Sequence, residues 1–191
     1  MLRSFLSFCW QIIKTALIAL IIVIPIRYFV FQPFIVKGIS MEPSFRNGDY
    51  LIIDELSYRL RSPKRGEVVV FRYPADTREK FIKRIIGLPN ETIEFKNGKI
   101  VITSSLGEKT ILDESVYLPA KQTWAGEKIK KVKIPSDSYF VMGDNRLHSF
   151  DSRSWGFVSK KYLIGRVLLR LFPFKDICFF SPPMYSLDAA Y

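Results

Sequence analysis

Apolar positions change their spacing once along this chain, and the change divides it in two. From about Trp10 to Phe31 the run "WQIIKTALIALIIVIPIRYFVF" is interrupted only by Gln11, Lys14, Thr15, Pro25 and Arg27. A helix rising 1.5 Å per residue crosses a hydrocarbon core of about 30 Å in roughly 20 residues. The pattern therefore predicts a membrane-spanning helix, with Lys14 and Arg27 reaching towards opposite interfaces. A cleaved secretory leader fits less well, because the short apolar region and small-residue cleavage site are missing. The run is also long for a buried core helix. Residues 1–35 are expected to form an uncleaved membrane anchor.

Beyond the anchor, apolar residues come in short runs between turn residues. "DYLIID" (Asp49 to Asp54) and "GEVVVFRY" (Gly66 to Tyr73) are rich in β-branched and aromatic side chains and flank a charged helix or loop, Glu55 to Arg65. "KFIKRIIGL" (Lys80 to Leu88) reads as a further strand. In "TIEFKNGKIVI" (Thr92 to Ile102) the pair Asn97-Gly98 stands between two apolar runs, the strongest short-range hairpin signal. "DSYFVMGDN" is a strand leading into a loop, and "YLIGRVLLRLF" (Tyr162 to Phe172) supplies a last long strand. The fold class predicted is all-β: an antiparallel domain over 36–180 with a smaller inserted β cap at about 96–136. The tail 181–191, "SPPMYSLDAAY", has the composition of a frayed terminus. Its counterpart in polarity, the stretch from about Gly107 to Lys133 with its run "GEKIKKVK", reads as exposed insertion, and its lysines as a solvated face.

Composition narrows the partners. A chain of 191 residues holds one main core plus an appendage. Formal net charge is +11, which suits anionic surfaces, whether phospholipid or nucleic acid. Cys9 and Cys178 stand at opposite ends and there is one histidine, so neither a disulfide framework nor a clustered metal site is expected, and no metal or cofactor is inferred. Charge does not orient the anchor: Arg3 and Lys14 on one side balance Arg27, Lys37 and Arg46 on the other.

Candidate chemistry begins at "GISMEPSF", Gly38 to Phe45, just past the anchor. Ser40 needs a base to become a nucleophile. His148 with Asp151 would complete a Ser-His-Asp triad, but two triad members three residues apart in one loop seldom converge correctly. Lys83 is the other candidate. Strand alternation places Phe81, Lys83 and Ile85 on one face and Ile82, Arg84 and Ile86 on the other, so Lys83 projects among apolar side chains. Burial lowers a lysine pKa by up to about 3 to 5 units, enough to make it a general base. Taken alone, a strand lysine more often covers the core with its stem and carries its ammonium to solvent.

Four motifs together shift that balance. "SMEPSFRNGDYL", "RGEVVVF", "FIKRIIGLPNETIEF" and "VMGDNRLHSFDSRSWGFV" occur in the order found in bacterial type I signal peptidases, and from the anchor to about Phe180 the chain resembles that family of membrane-anchored Ser-Lys endopeptidases. The resemblance implies Ser40 as nucleophile, its N–H as an oxyanion donor, and Lys83 as general base. It implies Ser149 as the residue orienting the lysine, Asp151 with Arg153 as a structural ion pair, and Asp144 with Arg84 as another. Some members carry a serine two residues before the nucleophile to help bind the oxyanion; here that residue is Gly38. Gly38, Met41 and Ile85 are expected at the substrate pocket. Also implied are precursor proteins with N-terminal signal peptides as substrates, a catalytic domain on the exoplasmic face of the cell membrane, anionic phospholipid rather than nucleic acid as the partner of the basic charge, and no cofactor. Specialised Ser-Lys peptidases of the superfamily, and a silent membrane-tethered binding domain, are the alternatives.

Overall fold

The computed structural model describes residues 2–29, 31–119, 131–183, 185 and 188–189. Helix α1 spans Leu2–Phe29. Along residues 7–21, Phe8, Trp10, Leu17 and Ile21 are each more than half exposed, so the rest of the protein does not cover this stretch of the helix. Residues 7–21 extend about 22 Å as a helix, and no helix among the described residues is long and apolar enough to cross a membrane. The apolar run leaves the helix before residue 35: Phe31–Ile35 is strand β1. It pairs antiparallel with β2 (Tyr50–Asp54), from Phe31 opposite Asp54 to Ile35 opposite Tyr50. As an edge strand β1 accommodates Pro33, which has no N–H to give a ladder.

The main sheet continues with β3 (Val68–Tyr73), β4 (Asp76–Gly87), β9 (Ser138–Met142), β10 (Val158–Ser159) and β11 (Leu163–Phe172), in the order β1-β2-β11-β3-β4-β9-β10, with β12 (Cys178–Phe179) also on β11. Its described pairings are antiparallel. A second antiparallel sheet holds β5 (Thr92–Lys96), β6 (Lys99–Thr103), β7 (Lys109–Ile111), β8 (Lys131–Lys133) and β13 (Asp188–Ala189), ordered β13-β7-β6-β5-β8. Asn97 and Gly98 both take positive φ, 50° and 74°, and turn β5 into β6 with Lys96 opposite Lys99. The second sheet thus starts at Thr92, because the first arm of that hairpin belongs to it. Asp188–Ala189, in the segment expected as a frayed tail, pairs with Thr110 and Ile111. Most of the basic run "GEKIKKVK" lies outside the described residues; its last three residues are β8.

Strand β4 organises the core. It starts four residues before Lys80, because the β3–β4 ladder runs on through an exposed, polar hairpin where no face is buried and no alternation marks the strand. Further along, its alternate residues enter separate clusters. Ile82 packs with Met41, Phe45, Val68 and Val70, and Ile85 with Val69, Phe71 and Val141. Ile86 packs with Ile93, Ile100 and Phe140, joining the two sheets. Each such side chain contributes about 1.5–3 kcal/mol through burial. Lys83 and Arg84 lie between these anchors, so their directions are set by a strand that cannot slip without exposing its isoleucines.

Candidate active site

Lys83 sits opposite Val69 in the β3–β4 ladder and is only 4% exposed. Its Nζ donates to Ser40 Oγ at 2.7 Å, a contact that joins residues 43 apart in the chain. Burial lowers the Lys83 pKa from 10.5 to about 8, against the opposing pull of Asp151 and Asp144. Those two carboxylates do not neutralise it by pairing, since each is held by an arginine. At pH 8 about half of the amine carries a free electron pair able to take the proton of the hydroxyl beside it.

Ser40 is held by its main chain. Its carbonyl accepts from Asn145 N at 3.0 Å, and Asn145 Nδ2 donates to the Ile39 carbonyl at 3.2 Å. Next to it, Met41 is buried in the core and its carbonyl accepts from Phe45 N. Gly143 lets the two loops meet: a Cβ there would lie 2.4 Å from the Ser40 carbonyl oxygen and 2.2 Å from Ser149 Oγ. Only a residue without a side chain fits between them. Gly38 takes φ +85°, a left-handed conformation, and its N–H donates to Asn47 Oδ1 at 2.9 Å.

Charged residues fix the loop that follows β9. Arg84, on the opposite face of β4 from Lys83, makes a fork of two bonds to Asp144, at 2.8 and 2.6 Å, and a third to the Gly66 carbonyl. Its guanidinium lies 4.1 Å from the centre of the Tyr117 ring. Asp151 accepts from Gly143 N and from Arg153 Nε and Nη2. Burial raises its pKa, but the Arg153 hydrogen bond and charge and the Gly143 N–H outweigh that and leave the carboxyl below its ordinary range. Ser149 Oγ is buried without a well-formed hydrogen bond, although it is near enough to Asp151 to help hold that carboxyl low. Its bond to Lys83, expected from the motif, is not formed in this structure. His148 is exposed, with Nδ1 3.2 Å from Asn145 Oδ1. With Asp151 engaged elsewhere, the two do not assemble as a triad pair.

Sequence reasoning missed Asn145, Gly143 and the pair Arg146–Glu114. Arg146 donates to both Glu114 carboxylate oxygens and, through Nε at 3.0 Å, to the Gly143 carbonyl. Both charges are buried. The first three stand inside the "VMGDNR" stretch, which was the available signal; Glu114 lies in a polar segment where nothing distinguishes a buried carboxylate from a solvated one.

A cavity of about 700 Å³ opens in front of Ser40 and Lys83, walled by Phe34, Ile35 and residues 37–40 on one side, Arg78 to Lys83 on the other, and by His148 and Phe150. Gly38 lines it. Met41 and Ile85 do not: both are at most 1% exposed, behind the wall, where the strand pleat and the turn after Ser40 point them into the core. Ile39, Phe81 and Ile82 supply the apolar lining near the pair. Among the described residues no cluster of His, Cys, Asp and Glu is placed to hold a metal ion.

A buried amine poised on a loop hydroxyl is the arrangement of a candidate nucleophile beside a candidate base. The family model for "Signal peptidase, peptidase S26" matches residues 9–172, and the chain belongs to that family. It is 41% identical over 166 residues to a probable signal peptidase I-2 of Synechocystis sp., covering 84% of this chain and 72% of that one. It is 36% identical over 172 residues to a signal peptidase I of Bacillus caldolyticus, covering 85% and 91%. A solved signal peptidase I of Enterococcus faecalis V583 is 28% identical over a match that covers 56% of this chain and 97% of that chain, at a TM-score of 0.45.

Proposed function

We propose that this chain is a membrane-anchored serine endopeptidase that removes signal peptides from secreted precursors, using Ser40 as nucleophile and Lys83 as general base. The observation that carries the reading is the 2.7 Å contact between Ser40 Oγ and a buried lysine whose pKa lies near 8. Neutral Lys83 takes the hydroxyl proton as Oγ attacks the scissile carbonyl. The protonated amine then returns that proton to the leaving amine, and the resulting acyl-enzyme is hydrolysed by a water that Lys83 deprotonates. The Ser40 N–H is the oxyanion donor in this scheme; Gly38 brings no hydroxyl, so its part is to keep the approach open. Ser149, beside Gly143 and Asp151, is the side chain that orients the lysine once substrate excludes water, and the Asp151–Arg153 and Asp144–Arg84 pairs keep the loop in shape.

The exposed apolar side chains of α1 support an anchor in a bilayer, with the body of the protein on the exoplasmic face and its +11 charge towards anionic phospholipid rather than nucleic acid. The names of its relatives supply the substrate class. An extended precursor segment entering the cavity between β1 and β4 would present alternate side chains to Ile39, Phe81 and Ile82, walls that suit small residues. The test is cleavage of a model precursor by the purified chain. Parent protein is expected to release the signal peptide, and Ser40→Ala and Lys83→Ala to leave it intact; cleavage by a folded Ser40→Ala protein would overturn the assignment.

A further inference from the structure

A second cavity, of about 720 Å³, lies beyond the one in front of Ser40 and has no part in the chemistry above. Its volume is in the range of ligand sites. Four cations line it, Arg59, Arg72, Lys80 and Lys160, against the single carboxylate of Glu55. Two of the cations, Arg72 and Lys80, stand directly opposite each other in the β3–β4 ladder. Like charges in that position repel. Among the described residues neither is relieved by a carboxylate: Arg72 makes a long 3.4 Å bond to the Thr77 carbonyl, and Lys80, like Lys160, forms no ion pair. Several other arginines are matched with acids, as in Arg61–Glu67, Arg65–Glu91 and Arg166–Asp54. The lining of this cavity carries a net +3, part of the chain's +11.

Its position says where an anion would come from. Gln32 and Pro33 form part of the wall, within four residues of the end of α1 at Phe29. Phe31 pairs with Asp54, which brings Glu55, Tyr58 and Arg59 alongside the same point. Leu56 and Leu60, four residues apart and so on one side of a helical turn, are 38% and 78% exposed next to Arg59. Cations with exposed leucines beside the end of an apolar helix form the arrangement that seats a protein in the headgroup layer.

We propose that this cavity binds the headgroup phosphate of an anionic phospholipid, with Arg72, Lys80 and Lys160 on the phosphate oxygens and Leu56 and Leu60 against the acyl boundary. The inference rests on α1 being a membrane anchor. A zwitterionic headgroup fits poorly, because its ammonium would enter a lining with four cations and one carboxylate. Binding there would hold the β1–β4 cleft at a defined height above the bilayer, since Lys80 lines both cavities.

The test uses the whole chain in uncharged detergent micelles doped with phosphatidylglycerol or phosphatidylcholine, read by the thermal midpoint as lipid is titrated. Phosphatidylglycerol is expected to raise the midpoint saturably and phosphatidylcholine to leave it unmoved. Arg72→Gln with Lys160→Gln, neither of which lines the cavity at Ser40, should weaken the phosphatidylglycerol response about 30-fold, near fivefold per cation. The charge-keeping pair Arg72→Lys with Lys160→Arg should retain it, which separates lost charge from a lost fold. An unweakened response in the glutamine variant, or an equal response to phosphatidylcholine, overturns the proposal. So does an equal response to inorganic phosphate at the same phosphorus concentration, which would define a soluble-anion site, or a raised KM for precursor without lipid, which would define a substrate site. Precursor cleavage in phosphatidylcholine micelles reads the peptidase assignment independently.

Discussion

Lys83 and Arg84 are neighbours on one strand, both buried and both cationic by nature, and they resolve the cost of burial in opposite ways. Arg84 points to the face where Asp144 waits, and a fork of two hydrogen bonds with a third to a carbonyl keeps its charge compensated. Lys83 points to the face where the acids are already taken by arginines, so desolvation is only partly offset and the amine gives up its proton readily, near pH 8. Arginine suits the first role because it stays protonated, and lysine the second because its pKa moves. One pleat therefore separates a structural charge from a reactive one.

The largest expected effect comes from removing the reactive side of that contrast. Lys83→Ala and Ser40→Ala are each expected to lower kcat/KM by about 10⁴-fold or more, because the pair works as a unit; steady-state cleavage with a folding check by circular dichroism measures it. In the parent protein kcat/KM should rise with pH through a limb near pH 8, the value for Lys83. A limb near pH 10 would mean that the lysine is not desolvated when it works.

Asp144→Ala attacks the structural side. It strands a buried guanidinium and should cost about 3–5 kcal/mol of stability, read as a lower urea midpoint. A loss under about 1 kcal/mol would show that Arg84 reaches water and that the contrast is not one of burial.

Stability should respond to Lys83 with the opposite sign. Its native pKa, about 8, lies below its ordinary value of 10.5, so between those values the unfolded chain binds more protons and stability rises with pH. Lys83→Met, of similar length, is therefore expected to stabilise the fold by about 3 kcal/mol at pH 7. The advantage should shrink between pH 8 and 10.5. Urea melts at pH 7 and 10.5 in parallel measure this.

The smallest effect is expected at His148, exposed at the cavity rim and bonded only to Asn145 among the described residues. His148→Ala should keep kcat/KM within about threefold, less than 1 kcal/mol. A loss comparable with that of Lys83→Ala would restore the histidine as base.

How much of this was readable beforehand follows from which interactions are local. Alternation in "KFIKRIIG" placed Lys83 and Arg84 on opposite faces, and Asn97-Gly98 marked its hairpin, because pleat and turn conformation are properties of a few adjacent residues. The apolar run predicted a helix but not its end, since Phe31–Ile35 is drawn into a strand by a partner, β2, that the run does not contain. The polar start of β4 was invisible for a related reason: a ladder needs backbone, and backbone leaves no mark in the side-chain pattern.

By itself the sequence determined an all-β domain, the apolar strands of its core and the Asn97-Gly98 hairpin, and Ser40 and Lys83 as the residues to watch. Only the tertiary structure decided that Ser40 Oγ and Lys83 Nζ lie 2.7 Å apart across 43 residues of chain, that Glu114 pairs with Arg146 rather than with solvent, and that Met41 and Ile85 stand behind the cavity instead of in it. The reason is that burial and charge compensation depend on what the rest of the chain brings to a point in space. A carboxylate or an isoleucine reads the same in sequence whether it faces a neighbour or an opening.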